Sequence, residues 1–341
     1  MLIENELKKQ KYKILLVEDA ESILLAIKDY LKPYFIVDAV ENINLAFNFL
    51  TENADYDLLI SDINLAEESA SKLVKYCKHK YPNIKIALIT SYDINDYIQF
   101  IKDEEIDQVI TKHSQLSLRD IFVMAYKSIT KDIFGIEKYF HDIKVYFPTE
   151  LKSTIIPKNK EVFSITIKNH EDRVSWIDRI CKIIKDEKNI PESLSKLVLD
   201  EITLNAMIRA PKHKDGTYKY QHIIEDQDKL IPKEDVILEP EDYFILQYGF
   251  YDDWIIIACQ DPHGALTKKE ILYRLHRHAH LNPETRLPHG LSDSHGRGIF
   301  LLREHMTHLI FNIQNNKKTE VLCFYNPVQV IPYKNISIYE I

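Results

Sequence analysis

From residue 13 onward, short apolar runs alternate with amphipathic stretches: KILLV, residues 20–32, FIVDAV, 43–51, DLLIS, 69–80, IKIALIT, 94–102, IDQVIT and 116–129. Five strand-like and five helix-like segments in strict alternation predict a five-stranded, doubly wound parallel sheet covered on both faces, an α/β domain over residues 1–133. The pattern then changes. The stretch TKDIFGIEKYFHDIKVYFPTE carries Gly135 as a helix stop, and Pro148 and Pro157 exclude a long uninterrupted helix. It reads as a connection over residues 134–160. Its apolar face, Phe134, Ile136, Tyr139 and Phe140, suits packing on either domain or on a second copy in a homodimer. Beyond it come FSITIK, a helix over 173–188 and another over 197–210. The strands DYFILQYGFY and DWIIIACQD follow, then a charged helical stretch KKEILYRLHRHAHL, a glycine-bearing turn, and the strands LIFNIQ and TEVLCFYN. Helices and antiparallel strands are segregated, which predicts an α+β two-layer sandwich over 161–341.

Length agrees with this division, since 341 residues suffice for two domains that each bury a core. The net charge of −8 comes without a basic block, which argues against direct nucleic-acid binding. Cys77, Cys181, Cys259 and Cys323 are far apart in apolar runs, without a CxxC pair, and read as reduced core residues of a cytoplasmic protein. No run of 18 apolar residues and no signal-like N-terminus is present, so membrane attachment is not expected. Of seven glycines, none precedes residue 135, so the halves are built differently.

In a doubly wound sheet the ligand site lies at the carboxyl ends of the strands. Those ends carry Glu18 and Asp19, Asp62, Thr90 and Lys112. Three converging carboxylates repel one another unless a hard divalent cation such as Mg²⁺ joins them. Asp62 would then be a phosphoryl acceptor, with Lys112 answering the added charge and the Thr90 hydroxyl donating to a phosphoryl oxygen. Singly, each would more often be a strand cap or surface charge. With LLVEDAES and LLISDINL as its motifs, this stretch resembles a response-regulator receiver domain of two-component signalling. The resemblance implies that Glu18, Asp19 and Asp62 bind Mg²⁺, that a sensor histidine kinase phosphorylates Asp62, and that Thr90 and Lys112 couple the phosphoryl group to the far face. The sequence departs from the family where His113 follows the lysine, Val109 takes the aromatic switch position, and Ala66 replaces a frequent proline.

In the second domain Glu201 and Asn205 stand one helical turn apart in an otherwise apolar helix, where they can reach one ligand; the plainer reading is a solvent-facing pair. Asp261 ends a buried strand, where a carboxylate can accept from an exocyclic amine, and Gly264 follows at a place of close backbone approach. Gly296 and Gly298 lead into a helix whose first N–H groups would suit an anion. This ordered set resembles the GHKL-type ATP-binding domain of histidine kinases, gyrases, Hsp90-type chaperones and anti-sigma-factor serine kinases, with EITLNA, DPHGAL, SHGRGI and TEV as its boxes. The resemblance implies that Asn205 ligands Mg²⁺, Asp261 binds the adenine amine, Gly264, Gly296 and Gly298 shape the ATP pocket, and Thr319 supports adenine through water. It further implies a lid over residues 267–293 and Glu201 as general base.

His141 to Lys144 superficially resembles a histidine-kinase phospho-acceptor box, but Pro148 arrives too soon for the hairpin such a box needs. His276, His278, His280, His305 and His308 lack a third-ligand pattern for a metal. The resulting expectation is a response regulator, phosphorylated on Asp62, whose serine-kinase-like output domain controls a partner such as an anti-sigma antagonist or a sigma-factor-like protein. The alternative is a degenerate nucleotide-binding domain acting as a phosphorylation-gated binding module without kinase activity.

Overall fold

The computed structural model describes residues 11–53, 55–65, 68–91, 97–106, 108–111, 118–148, 156–220, 236–279, 297–328 and 335–341. The chain divides into two compact units, Met1–Ile133 and Phe134–Ile341.

The first unit contains strands β1 (Lys13–Val17), β2 (Ile36–Val40), β3 (Leu58–Asp62), β4 (Lys85–Thr90) and β5 (Gln108–Thr111), in the order β2-β1-β3-β4-β5. All four pairings are parallel. Every residue of β3 is buried, as a strand covered on both faces requires. The helices are α1 (Glu21–Leu31), α2 (Ile43–Glu52), α3 (Ser71–Lys80), α4 (Ile98–Asp103) and α5 (Leu118–Thr130). Helix α1 buries Leu24, Ile27 and Leu31, one stripe at helical spacing. Its end meets α5 through aromatic edges, the rings of Tyr34 and Phe122 lying 4.8 Å apart. Asn42 caps α2, its side chain accepting from Leu45 N at 3.0 Å. Strand order reverses between β1 and β3, and the carboxyl ends of those two strands define the crevice.

The second unit is a mixed seven-stranded sheet with helices on it. Its strands are β6 (Lys144–Tyr146), β7 (Glu161–Ile167), β8 (Phe244–Tyr251), β9 (Trp254–Asp261), β10 (His308–Gln314), β11 (Lys318–Tyr325) and β12 (Asn335–Glu340), in the order β12-β10-β11-β9-β8-β7-β6. The four inner pairings are antiparallel, whereas the outermost strands β6 and β12 join in parallel. Helices α6 (His170–Lys188), α7 (Glu192–Leu204), α8 (Lys268–Ala279) and α9 (Arg297–His305) complete the unit. Ile184 of α6 and Val198 of α7 meet Ile255, Ile257 and Cys323 of the sheet. Asn169 caps α6, and Asn189 ends it in the left-handed conformation at φ 55°.

On the other face of the strands, the segment read from sequence as a connection is part of this unit. Phe140 packs on Tyr251, Trp254 and Phe324, with ring centroids 4.8–6.2 Å apart, and Tyr139 adds an edge contact to Phe324 at 5.3 Å. Gly135, at φ 106°, donates its N–H to Glu320, which also accepts from Asn312 at 2.7 Å. His141 and Asp142 form an exposed turn before β6, so no helical hairpin surrounds that histidine.

Both tryptophans, Trp176 and Trp254, lie in the second unit, so their emission reports on it alone. Phe140→Ala removes a ring from a cluster of five and is expected to lower the unit's stability by about 3–5 kcal/mol, as other large-to-small aromatic substitutions in cores do. Urea unfolding followed by tryptophan fluorescence measures this.

Candidate functional site

Two groups of polar side chains stand at strand ends. In the first unit, Glu18 and Asp19 follow β1, and Asp62 closes β3, with oxygens of all three within 4.8 Å of one another. Glu18 and Asp62 are buried and Asp19 is exposed. Ala20 N donates to Glu18 and Asn64 N to Asp62, each at 3.3 Å. Thr90, fully buried, ends the adjacent strand β4. Lys112 lies outside the described residues.

An Mg²⁺ ion holds oxygens at about 2.1 Å, so its ligands span roughly 4.2 Å at most. The three carboxylates stand close to that span and offer only hard oxygen donors. They fit the ion: Glu18, Asp19 and Asp62 would hold it, and a bound Mg²⁺ would supply positive charge where a phosphoryl group arrives. Among the described residues no other group of three His, Cys, Asp or Glu side chains converges in this way, and His276 and His308 join no such group.

The model of the response regulator receiver domain matches residues 14–121. That stretch is a response regulator receiver domain. Solved structures similar to this chain include a receiver domain protein from Clostridium thermocellum, 20% identical with a TM-score of 0.33, covering 35% of this chain and 95% of that one. Another is a CheY-like receiver domain protein from Methanospirillum hungatei, at 21% identity, TM-score 0.33 and coverage of 36% and 96%. A third is a response regulator protein from Thermotoga maritima in complex with Mg²⁺–BeF, at 24%, 0.30, and 34% and 98%. No curated protein matches the chain. The match takes in about a third of the chain, all of it within the first unit.

The second group lines a cavity of about 310 Å³ between the sheet and helices α7, α8 and α9 of the second unit. Asp261 and Thr319 sit directly opposite each other on β9 and β11, at its floor. Asp261 Oδ1 accepts from His263 N at 2.9 Å and Gly264 N at 3.1 Å. Burial raises the pKa of the Asp261 carboxyl, and these two backbone bonds offset the effect only in part. The Thr319 hydroxyl, buried beside this carboxyl, also works against the rise. Gly264 holds the turn at φ 59°, where a Cβ would overlap the Gln314 carbonyl, so glycine is required on both counts.

Asn205 lines the cavity wall where α7 gives way to a π-helical turn, Asn205–Arg209, closed by Ala210 N donating to Asn205 O at 2.9 Å. Its Nδ2 donates to Glu201 Oε1 at 3.0 Å, and its Oδ1 accepts from Arg209 Nη1 at 2.8 Å. The Arg209 guanidinium also stands 3.7 Å from Glu201. The oxygen that a metal would take is thus used by a cation, and a dication there would face that guanidinium at short range. Asn205 and its neighbours do not fit Mg²⁺. Gly298, at the start of α9, abuts the Glu201 carboxylate so closely that a Cβ would overlap it. The Glu201 carboxylate thus stands beside the first turn of α9. Gly296 and most of the expected lid, residues 280–296, lie outside the described residues.

The sequence reading missed Arg209, Glu270 and Arg274, all of which line the cavity, the last two bonded to each other. Their signal was spacing: Arg209 is four residues past Asn205, and Arg274 four past Glu270. Behind the floor, buried Asp242 meets Lys219 at 2.7 Å and His263 at 2.9 Å, fixing the turn that carries Gly264.

Gly298→Ala forces the end of the flexible Glu201 side chain aside and is expected to cost no more than about 1 kcal/mol, because alanine's better helix propensity offsets part of the overlap. Glu201→Ala should remove most of that penalty, a non-additivity that a double-mutant cycle in urea, read by tryptophan emission, would display.

Proposed function

We propose that this regulator accepts a phosphoryl group on Asp62 from a sensor histidine kinase, and that its second unit is a purine-nucleotide recognition module through which a protein partner is controlled. The first half is carried by the carboxylate cluster Glu18, Asp19 and Asp62 at the reversal of strand order. An Asp62 oxygen attacks the phosphorus of a phosphohistidine donor whose other ring nitrogen carries a proton, the P–N bond breaks with its electron pair going to nitrogen, and neutral imidazole leaves. Glu18 and Asp19, with Asp62 itself, would hold Mg²⁺, which would supply positive charge to the incoming phosphoryl group, and the Thr90 hydroxyl at the end of the neighbouring strand is a donor for it.

The second half rests on Asp261 and Thr319 at the floor of an apolar cavity, a pairing suited to an exocyclic amine and ring nitrogen of adenine, as in ATP. The partner class in keeping with this reading is an anti-sigma antagonist or a sigma-factor-like protein. No described helix is long and apolar enough to cross a membrane, and a cytoplasmic site of action is part of the proposal.

Two readings of the second unit differ in chemistry. A serine kinase needs Glu201 free to take the hydroxyl proton. A binding module does not. The contacts of Glu201 with Asn205, Arg209 and Gly298 favour the binding module.

Asp62→Asn should abolish labelling by acetyl phosphate with Mg²⁺, and EDTA should do the same to the wild type; label retained on the variant would place the acceptor elsewhere. Asp261→Asn keeps an oxygen for His263 N and Gly264 N but loses the acceptor for the amine. It should weaken adenine nucleotides about 10–100-fold in calorimetry, the cost of a hydrogen bond to a charged group. The native Asp261 carboxyl has a pKa above the ordinary 3.8. It therefore favours the folded state at low pH and loses that contribution as pH rises through its raised pKa. The Asn variant should lack this decline in urea titrations at successive pH values.

A further inference from the structure

We infer that the cavity of the second unit takes an adenine-type base with its sugar, without any divalent cation and without engaging phosphates, because the chain fills the cation and anion positions with its own Arg209 and Glu201. The inference rests on the purine reading above and specifies which part of the nucleotide is recognised.

Among the described residues, the charged side chains at the rim are paired with one another. Asn205 uses both ends of its amide, toward Glu201 at 3.0 Å and from Arg209 at 2.8 Å. Arg209 stands 3.7 Å from Glu201, and Arg274 is bonded to Glu270. The start of α9, where N–H groups would meet a phosphate, has Gly298 against the Glu201 carboxylate. A phosphate entering there would have to expel a carboxylate from a helix N-terminus and break the Arg209 contacts. It would also bring negative charge toward Glu201, Glu270 and Asp261, against two guanidiniums that are already paired.

At the floor the balance is opposite. Buried Thr319 and Asp261 line the cavity side by side, and the Asp261 oxygen that takes no backbone N–H is shared between the Thr319 hydroxyl and a ligand's donor. Ile202, Ala206, Leu266, Ile299, Phe311 and Val321 supply apolar surface on which a flat heterocycle can lie. A cavity of about 310 Å³ stands at the lower end of the range for small-molecule sites, enough for a base and sugar. Acceptors placed for a heterocycle's donor edge at the floor, and a rim whose described charges are balanced by one another, select for the base.

The test titrates the full chain with adenosine and with ATP by calorimetry, each in Mg²⁺ and in EDTA. The Asp62→Asn protein serves alongside, so that metal effects arising in the receiver domain are removed. The expected result is that adenosine and ATP bind with affinities within about threefold of each other, unchanged by EDTA. If ATP binds more than about tenfold tighter and only with Mg²⁺, the phosphate end is open and the inference is overturned, while the nucleotide reading stands. If neither ligand binds, both fall. Arg209→Ala, where the variant folds by tryptophan emission, should release Asn205 Oδ1 and Glu201 and create a preference for Mg²⁺–ATP. An unchanged ratio in the folded variant would count against the self-filled rim.

Discussion

A carboxylate taken out of water must have its oxygens answered, and both units are arranged around carboxylates that the sheets have buried. Glu18 and Asp62 are withdrawn from solvent at the ends of β1 and β3, with Asp19 beside them, and the three are brought close enough that a cation is their natural partner. In the second unit, Asp261 is answered by backbone N–H groups, Asp242 by a lysine and a histidine, and Glu320 by Asn312 and Gly135. Each answer fixes a piece of chain: a turn, a loop or the entering segment. What holds these loops in place is therefore largely the need to satisfy buried charge, and the same need marks where a ligand belongs.

Most of the first unit was legible because its strands are unbroken apolar runs and its carboxylates fall where those runs stop. The second unit was legible in its inner strands and in Asp261, Thr319 and Asn205, which the fold brings into one cavity. The edges were not. Lys144–Tyr146 is three residues long, and Asn335–Glu340 alternates polar and apolar positions whose meaning depends on a parallel partner, β10, far from it along the sheet's connections. Nor could sequence decide what Glu201 does. Its spacing to Asn205 suits a shared ligand and an internal hydrogen bond equally, and only the position of Arg209 separates the two.

The aromatic stretch after residue 133 shows the same limit. Phe134, Tyr139 and Phe140 are apolar enough to demand a surface, but nothing local says which one. They lie within the second unit, Phe134 beneath the Lys318 ammonium and the two others on Phe324. The sheet there needs a cover because Tyr251, Trp254 and Phe324 share its face.

The π-helical turn at Asn205–Arg209 holds one residue more than an α-helical turn would. The helix stops there, since Ala210 bends the chain into Pro211, and the extra residue therefore acts on the last turn alone. The wide last turn keeps Arg209 within reach of Asn205 and Glu201 together, so the guanidinium over the amide oxygen is held by the way the helix ends.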